Sequence, residues 1–291
     1  MIACVVVTYN PDNSLIEGIN LLSDQVDKIL IVDNGSKESG IKLIKEIKKC
    51  NEDKIEAVFN GENLGIAAAL NIGAKYAIEH KYQWLLTMDQ DSRPAKDMVE
   101  KMIKTYEDMP LEKRDEVMSI FPNFFDQSVQ NEEEHSNEPY EYVDAEITSG
   151  NLVNTKVFDK IGFFDEGLFI DMVDTDFCMR LYRENIKMIK VYDAVLFHSL
   201  GEGKRVKTIF GGFNTSNHSA LRRYYMTRNR FYTWEKYKDL NSFTLNRDKG
   251  LFKKEFVKII LGENDKLNKV KMVFRGYMDY KRGITGKYKE R

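Results

Sequence analysis

From its first residues the chain alternates short β-branched runs with stretches of helical period. Apolar runs at Ile2–Thr8, Lys28–Val32, Ile55–Phe59, Trp84–Met88 and Val117–Pro122 predict strands, and the segments near 14–23, 39–49, 65–79 and 95–107 predict helices between them. Strands joined in this order by helical crossovers make a mostly parallel sheet flanked by helices, an α/β fold. After Pro122 the rhythm breaks. Residues 126–141, "DQSVQNEEEHSNEPYE", are polar and acidic without a period and read as an excursion. A strand is expected at Tyr142–Thr148, a helix from about Val173 to Glu184 and a strand-like run at Met188–Phe197. The loop from Gly201 to Asn217 is a candidate lid. From His218 the period is helical to the end, with amphipathic stretches near 219–238, 251–261 and 266–281.

Composition narrows the class. Hydrophobic residues make up 42% and charged residues 31% of 291, which excludes a disordered or fibrous chain. No apolar run approaches the ~20 residues of a membrane helix. The N-terminus enters a strand directly, so a secretory leader is not expected. Cys4, Cys50 and Cys178 lack CxxC spacing and predict free thiols in a reducing compartment. The net charge of −2 hides an asymmetry: residues 218–291 hold 20 basic and 8 acidic side chains, residues 1–217 hold 24 and 38. The division expected is a body over 1–217, with halves at about 1–122 and 123–217, and a basic helical region over 218–291. That region suits an anionic membrane surface, a phosphorylated substrate or nucleic acid.

In sheets of this kind ligands bind beyond the carboxyl ends of the strands. Thr8, Tyr9 and Asn10 follow the first strand, and Asp33, Asn34, Gly35 and Ser36 the second. Asn60, Gly61, Asn63 and Gly65 follow the third; Asp89, Gln90 and Asp91 follow the fourth. Singly these are ordinary turn residues, but four polar strand ends together point to one binding rim. The Asp89 and Asp91 carboxylates suit a hard divalent cation, Mg²⁺ or Mn²⁺, shared with substrate phosphates. An Asx turn capping the next helix is the alternative. No GxGxxG or P-loop pattern is present.

A second acidic cluster reads "FIDMVDTDFCMRLYREN". On a helix from Val173, Asp174 shares the stripe of Phe177, Cys178 and Leu181, and Asp176 falls with Arg180 and Arg183 on the polar side. Asp174 is thus expected to point inward with a raised proton affinity, as a general base needs; helix capping is the plainer reading. Asp176 is expected to pair with Arg180. His198 is either a metal or phosphate contact or a buried core histidine. Arg222, Arg223 and Arg228, interleaved with Tyr224 and Tyr225, are either phosphate-holding forks or a solvated face.

Taken in order, "VVVTYNPD", "IVDNGS", "NLGIAAALNIG", "LTMDQDSRP", "SGNLVNTKVFDKIGFFDEGLFIDMVDTDFCMRL", "VLFHSLGEG" and "RRYYMTRNRFY" resemble the family 2 glycosyltransferases of the GT-A fold, and within them the bacterial rhamnosyltransferase branch, over about residues 3–232. The resemblance implies a Rossmann-like, mostly parallel central sheet with a C-terminal helical extension, and a metal-dependent, inverting transfer of a sugar from a nucleotide diphosphate to an alcohol. It implies that Thr8, Tyr9, Asn10 and Asp33 hold the nucleoside, with Asn63 and Gly65 nearby, and that Asp89 touches the ribose or helps place the metal. Asp91 would be the metal ligand, Asp174 the base, Gly150 and Asn151 the lining of the sugar pocket, and His198 a contact to metal or diphosphate. Many relatives carry Glu-Asp at the base motif where this chain has Val173-Asp174, so Asp174 is preferred over Asp171 and Asp176 on the helical-face argument as well.

The function this implies is transfer of L-rhamnose from dTDP-L-rhamnose to a saccharide, carried on a polyprenyl diphosphate, in bacterial surface polysaccharide synthesis. The enzyme would be cytoplasmic and peripheral on the inner face of the membrane, with Arg222, Arg223 and Arg228 facing acceptor phosphates or lipid. A UDP-hexose or UDP-furanose donor is the alternative within the family, and a homo-oligomer stays open. A nucleic-acid-binding protein is the reading from another class. It leaves the acidic rim unexplained and sets an acidic body against a phosphate backbone, so no nucleic-acid partner is expected.

Overall fold

The computed structural model describes residues 1–126, 138–198, 204–208, 211–215 and 217–290; the side chains of 126, 198, 204–208 and 211–214 are not among those described. The acidic stretch after Asp126 and the candidate lid fall largely outside these residues. The strands are β1 (Ile2–Thr8), β2 (Lys28–Asp33), β3 (Ile55–Phe59), β4 (Trp84–Asp89), β5 (Arg93–Pro94), β6 (Val117–Asp126), β7 (Tyr140–Tyr142), β8 (Asn151–Asn154), β9 (Lys187–His198), β10 (Lys204–Thr208) and β11 (Gly211–Thr215). The helices are α1 (Ser14–Ser23), α2 (Glu38–Cys50), α3 (Ile66–Glu79), α4 (Met98–Glu107), α5 (Leu111–Arg114), α6 (Val157–Ile161), α7 (Val173–Arg183), α8 (Ala220–Lys236), α9 (Phe243–Gly262) and α10 (Lys266–Lys281).

Two compact units are present: Met1–Glu166 with Val173–His198, and Gly167–Met172 with Ser199–Arg291. The first is built on a mixed sheet ordered β3-β2-β1-β4-β8-β6-β9-β5, with β7 paired to β9. The strands β3, β2, β1 and β4 run parallel, as the alternating runs predict. Antiparallel β8 separates β4 from β6, and β6 runs parallel to β9. The central strands are apolar on both faces because helices cover both; Ile29, Ile31, Leu86 and Ile120 are fully buried, each worth about 1.5–3 kcal/mol of transfer free energy.

Helix α2 shows the local logic. Gly40, Ile44 and Ile47 bury one face while its lysines point outward. In α3 the small residues Ala67, Ala69, Gly73 and Ala74 are buried, and a Cβ on Gly73 would lie 2.5 Å from Val5. Close packing on β1 therefore accounts for them.

One strand is misplaced by the sequence pattern. Residues 143–150 are not a strand; β7 ends at Tyr142 and the inner position beside β4 is taken by β8. The alternation in "YVDAEIT" imitates a half-buried strand, whereas these residues form half-buried irregular chain.

The second unit holds the β10–β11 hairpin, helices α8 to α10 and the segment 167–172. Ser219 and Ser242 cap α8 and α9, accepting from Arg222 N–H at 3.2 Å and Leu245 N–H at 3.1 Å. Arg223 and Arg228, expected to face acceptor phosphates or lipid, are instead buried. Arg223 pairs with Glu263 and, at 3.4 Å, with Glu255. Arg228 donates to the carbonyls of Gly286, Gly167 and Leu168 at 2.7, 3.1 and 3.0 Å. A guanidinium withdrawn from water needs such partners, and this unit supplies them from its own chain. Among the described residues no helix is long and apolar enough to cross a membrane.

Candidate functional site

The site grows from strand register. Thr8 pairs with Asp33 across β1 and β2, Val7 with Asp89 across β1 and β4, and Thr87 with Asn151 across β4 and β8. The carboxyl ends of β2, β1 and β4 and the start of β8 thus lie side by side on one edge. The expected residues Thr8, Asp33, Asp89, Gly150 and Asn151 are brought onto this rim.

Asp33 is buried and fully engaged. Its Oδ2 accepts from Gly35 N–H at 3.2 Å and Ser36 N–H at 3.0 Å, and its Oδ1 from Ser36 Oγ and, at 3.3 Å, from Thr8 Oγ1. Ser36 Oγ in turn accepts from Asn10 N–H at 2.7 Å, and Asn10 Oδ1 from Lys37 N–H at 2.9 Å. Asn10 is held at φ 49°, a conformation Asn tolerates. The loops after β1 and β2 therefore form one hydrogen-bonded body.

Asn34 ties in the loop after β3. Its Nδ2 donates to Asn63 Oδ1 at 3.2 Å and Gly65 O at 3.0 Å, and its Oδ1 accepts from Leu64 N–H at 3.0 Å and Asn60 Nδ2 at 3.2 Å. Asn63 Oδ1 also accepts from Gly65 N–H at 2.9 Å. Gly35 explains why these loops meet: its φ is +85° and a Cβ there would lie 2.5 Å from the backbone of Glu62.

The acidic turn closes the rim. Asp89 is half-buried at the end of β4 and Asp91 is exposed in the turn before β5. Ser149 holds this turn: its Oγ accepts from Asp89 N–H at 3.1 Å and bonds Ser92 Oγ at 2.7 Å. Gly150 N–H donates to Thr87 O at 2.7 Å, and Asn151 Oδ1 accepts from Ser119 Oγ at 2.6 Å. Asn34, Ser36 and Gln90 were read by sequence as strand-end residues of the rim without individual roles, and Ser149 was not singled out. All four stand inside the quoted motifs, and for Ser149 the signal is its place in the turn that leads into β8.

Asp174 opens α7 in the same unit, half-buried, with Oδ1 accepting from Thr175 N–H at 2.7 Å. The helical-face expectation is reversed for its neighbour. Asp176 is the fully buried carboxylate, and Arg180 Nε donates to it at 3.0 Å as the i, i+4 spacing predicts. Arg180 also donates to Ile161 O at 2.6 Å, so the guanidinium that the Asp176 carboxylate holds ties α7 to the end of α6. Its buried positions wrap from Val173 through Asp176 to Leu181, a wider arc than the stripe assumed. His198 ends β9 and its side chain lies outside the described residues.

In the second unit Arg222 is the half-exposed member of the arginine set, its Nη2 at 2.9 Å and Nε at 3.1 Å from Asp171 Oδ1. Asp171 belongs to a strained run: Phe169, Asp171 and Met172 all have φ between 63° and 67°. Asn229 Nδ2 holds that run, donating to the carbonyls of Leu168, Ile170 and Asp171 at 2.8, 2.7 and 3.0 Å. His218 stays below its ordinary pKa through burial and the charges of Arg222 and Arg223.

Among the described residues no three His, Cys, Asp or Glu side chains converge as a ready-made metal cage. Asp89 and Asp91 offer two carboxylates in one turn, the hard oxygen donors that suit Mg²⁺ or Mn²⁺ when substrate phosphates complete the shell.

A sequence model described as glycosyl transferase family 2 matches residues 3–165. The chain is 32% identical over 246 residues to a dTDP-rhamnosyl transferase, RfbF, of Shigella flexneri, a match covering 79% of this chain and 78% of that protein. Its fold is similar to a mannosyltransferase of Pyrobaculum calidifontis solved with GDP-Man and Mn²⁺, with a TM-score of 0.60 at 11% identity over 97% of this chain and 75% of that one. It is also similar to GalNAc-T7 solved with UDP, GalNAc and Mn²⁺, with a TM-score of 0.59 at 14% identity over 81% of this chain. This chain spans about half of that structure's length, 47%.

Proposed function

The chain belongs to glycosyl transferase family 2 and is a glycosyltransferase of GT-A fold, and from that premise we propose that it moves L-rhamnose from dTDP-L-rhamnose to a hydroxyl of a saccharide acceptor. The rim of strand ends carries this reading: Thr8, Asp33 and Asp89 stand in adjacent register positions with the Asn63–Gly65 loop tied to them. Such a rim suits a nucleoside diphosphate lying across the switch in strand order. The match to the Shigella flexneri transferase supports rhamnose as the sugar.

In this reading Thr8, Tyr9, Asn10 and Asp33 hold the nucleoside, with Asn63 and Gly65 shaping the floor and Gly150 and Asn151 lining the sugar pocket. Asp91, with Asp89, would hold Mg²⁺ or Mn²⁺; when bound, the cation neutralises charge on the departing diphosphate. Asp174 takes the proton from the acceptor hydroxyl as its oxygen attacks the anomeric carbon from the face opposite the leaving group, so configuration inverts. The buried Asp176–Arg180 pair fixes the helix on which that base sits. The acceptor is proposed to be carried on a polyprenyl diphosphate in surface polysaccharide synthesis, with the enzyme peripheral on the cytoplasmic face of the membrane.

A donor panel tests the reading. Release of dTDP from dTDP-L-rhamnose, dependent on divalent cation and on a lipid-diphosphate saccharide, is the expected result. Equal turnover of UDP-glucose would sink the donor assignment and favour the UDP-sugar alternative.

A further inference from the structure

Helices α9 and α10 carry a surface to which the transfer reading gives no role. Eight of the twenty large apolar side chains exposed among the described residues lie on these two helices, so exposure of this kind is concentrated there. On α9 one stripe runs through Phe243, Arg247, Lys254, Val257 and Leu261, and Phe243 is 74% exposed. On α10 another runs through Leu267, Lys271, Phe274, Met278 and Lys281, with Leu267 90% and Phe274 62% exposed. Each stripe steps by three, four or seven positions, which keeps it on a single helix face.

The charges on these helices are sorted. Asp248 and Glu255 turn inward to Arg230 at 3.0 and 2.7 Å. Asp279 is buried against Tyr224 Oη at 2.9 Å and Arg275 Nε at 3.3 Å. Every acidic side chain of α9 and α10 is thus consumed inside the unit, while Arg247, Lys254, Lys271 and Lys281 stay exposed. The outer stripes are apolar and cationic only.

That chemistry selects the occupant. A second copy packed stripe against stripe would set these cations against the same cations. A nucleic acid would match the charge and leave Leu267 and Phe274 without use. A bilayer with anionic headgroups takes both, the apolar side chains entering the interface and the cations meeting the phosphates. We propose that the 243–261 and 267–281 stripes dock this protein peripherally on an anionic bilayer surface. The proposal gives residues to the membrane association suggested above and rests on that reading only for why a membrane is needed.

The test is flotation of the purified full chain with vesicles of phosphatidylglycerol and phosphatidylethanolamine, against vesicles of phosphatidylcholine alone. Binding to the anionic vesicles, weakened by high salt, is expected. Lys254→Glu with Lys271→Glu, and Leu267→Ser with Phe274→Ser, should each reduce partition roughly tenfold or more, since one charge near an anionic surface is worth about fivefold. These side chains are exposed, so unchanged melting temperatures should accompany the loss. Equal binding to both vesicle types, or variants that float like the parent, would overturn the proposal. So would a dimer dissolved by the serine pair without vesicle binding, or salt-sensitive duplex DNA binding without vesicle binding. Flotation uses neither donor nor acceptor, so failure here and failure of the transfer reaction are read separately.

Discussion

Tyr9 and Gln90 hold each other in both directions: Tyr9 N–H donates to Gln90 Oε1 at 2.8 Å, and Gln90 Nε2 donates to the Tyr9 carbonyl at 3.3 Å. The glutamine between the two aspartates is a clamp that ties the acidic turn to the loop after β1. Gln90→Ala is expected to lower kcat/KM roughly a hundredfold, because a misplacement of about 1 Å suffices for that loss. Thermal melting alongside steady-state kinetics checks it; Tm should barely move.

Asp91 is exposed, so its removal should spare the fold. Asp91→Ala is expected to abolish the stimulation of dTDP release by Mg²⁺ or Mn²⁺ and to cut turnover by roughly a thousandfold, the several kcal/mol that a Lewis acid supplies. A metal titration of the variant reads this. A full metal response without the carboxylate would move the cation to other ligands.

Asp174 and Asp176 should separate chemistry from folding. Asp174→Asn is expected to lose about 10²–10⁴-fold in transfer while binding nucleotide normally, the usual cost of a missing general base. Near-normal transfer by this variant would return the role to Asp171 or another group.

Asp176→Ala leaves Arg180 partly buried without its carboxylate. The expected cost is about 3–5 kcal/mol of stability, as when one partner of a buried pair is deleted. Denaturant unfolding measures it, and activity per folded molecule at low temperature should stay within a few-fold of the parent.

Acid should loosen the second unit in two stages. Burial and the charges of Arg222 and Arg223 hold His218 below 6.5, so the unfolded chain binds its proton more readily and stability drains as pH falls from 6.5 toward the folded value. Burial pushes Glu255 up, but hydrogen bonds and charge from Arg230 bring it below 4.5 overall. Its contribution is therefore complete above about pH 4.5 and lost as pH falls through the lower folded value. Asp248, raised by burial, works in the opposite sense. Trp234, whose Nε1 donates to Asp248 at 2.9 Å, reports the transition by fluorescence in a Trp84→Phe background.

The sheet was legible because its strands are buried on both faces and read as continuous apolar runs, as in Ile2–Thr8 and Trp84–Asp89. The four-residue β8, "NLVN", was not: it is too short to show a period and is flanked by polar residues. The rim was legible one strand end at a time. Its cohesion through Asn34, Ser36 and Ser149 was not, because those bonds join loops up to 60 positions apart. Arg223 and Arg228 read as surface charge since their partners, Glu263 and the carbonyl of Gly286, lie 40 and 58 positions further on. Helical periodicity reports which face a residue takes, and it carries no word of a buried partner elsewhere.

The strained segment 167–172 belongs to the second unit although the chain on both sides of it belongs to the first. During synthesis these residues leave the ribosome some sixty positions ahead of Asn229 and Arg228, whose side chains donate to their carbonyls. Until α8 emerges, the left-handed run through Phe169, Asp171 and Met172 lacks these donors. The sheet of the first unit can therefore be complete in sequence while the segment that interrupts that unit still lacks its partners.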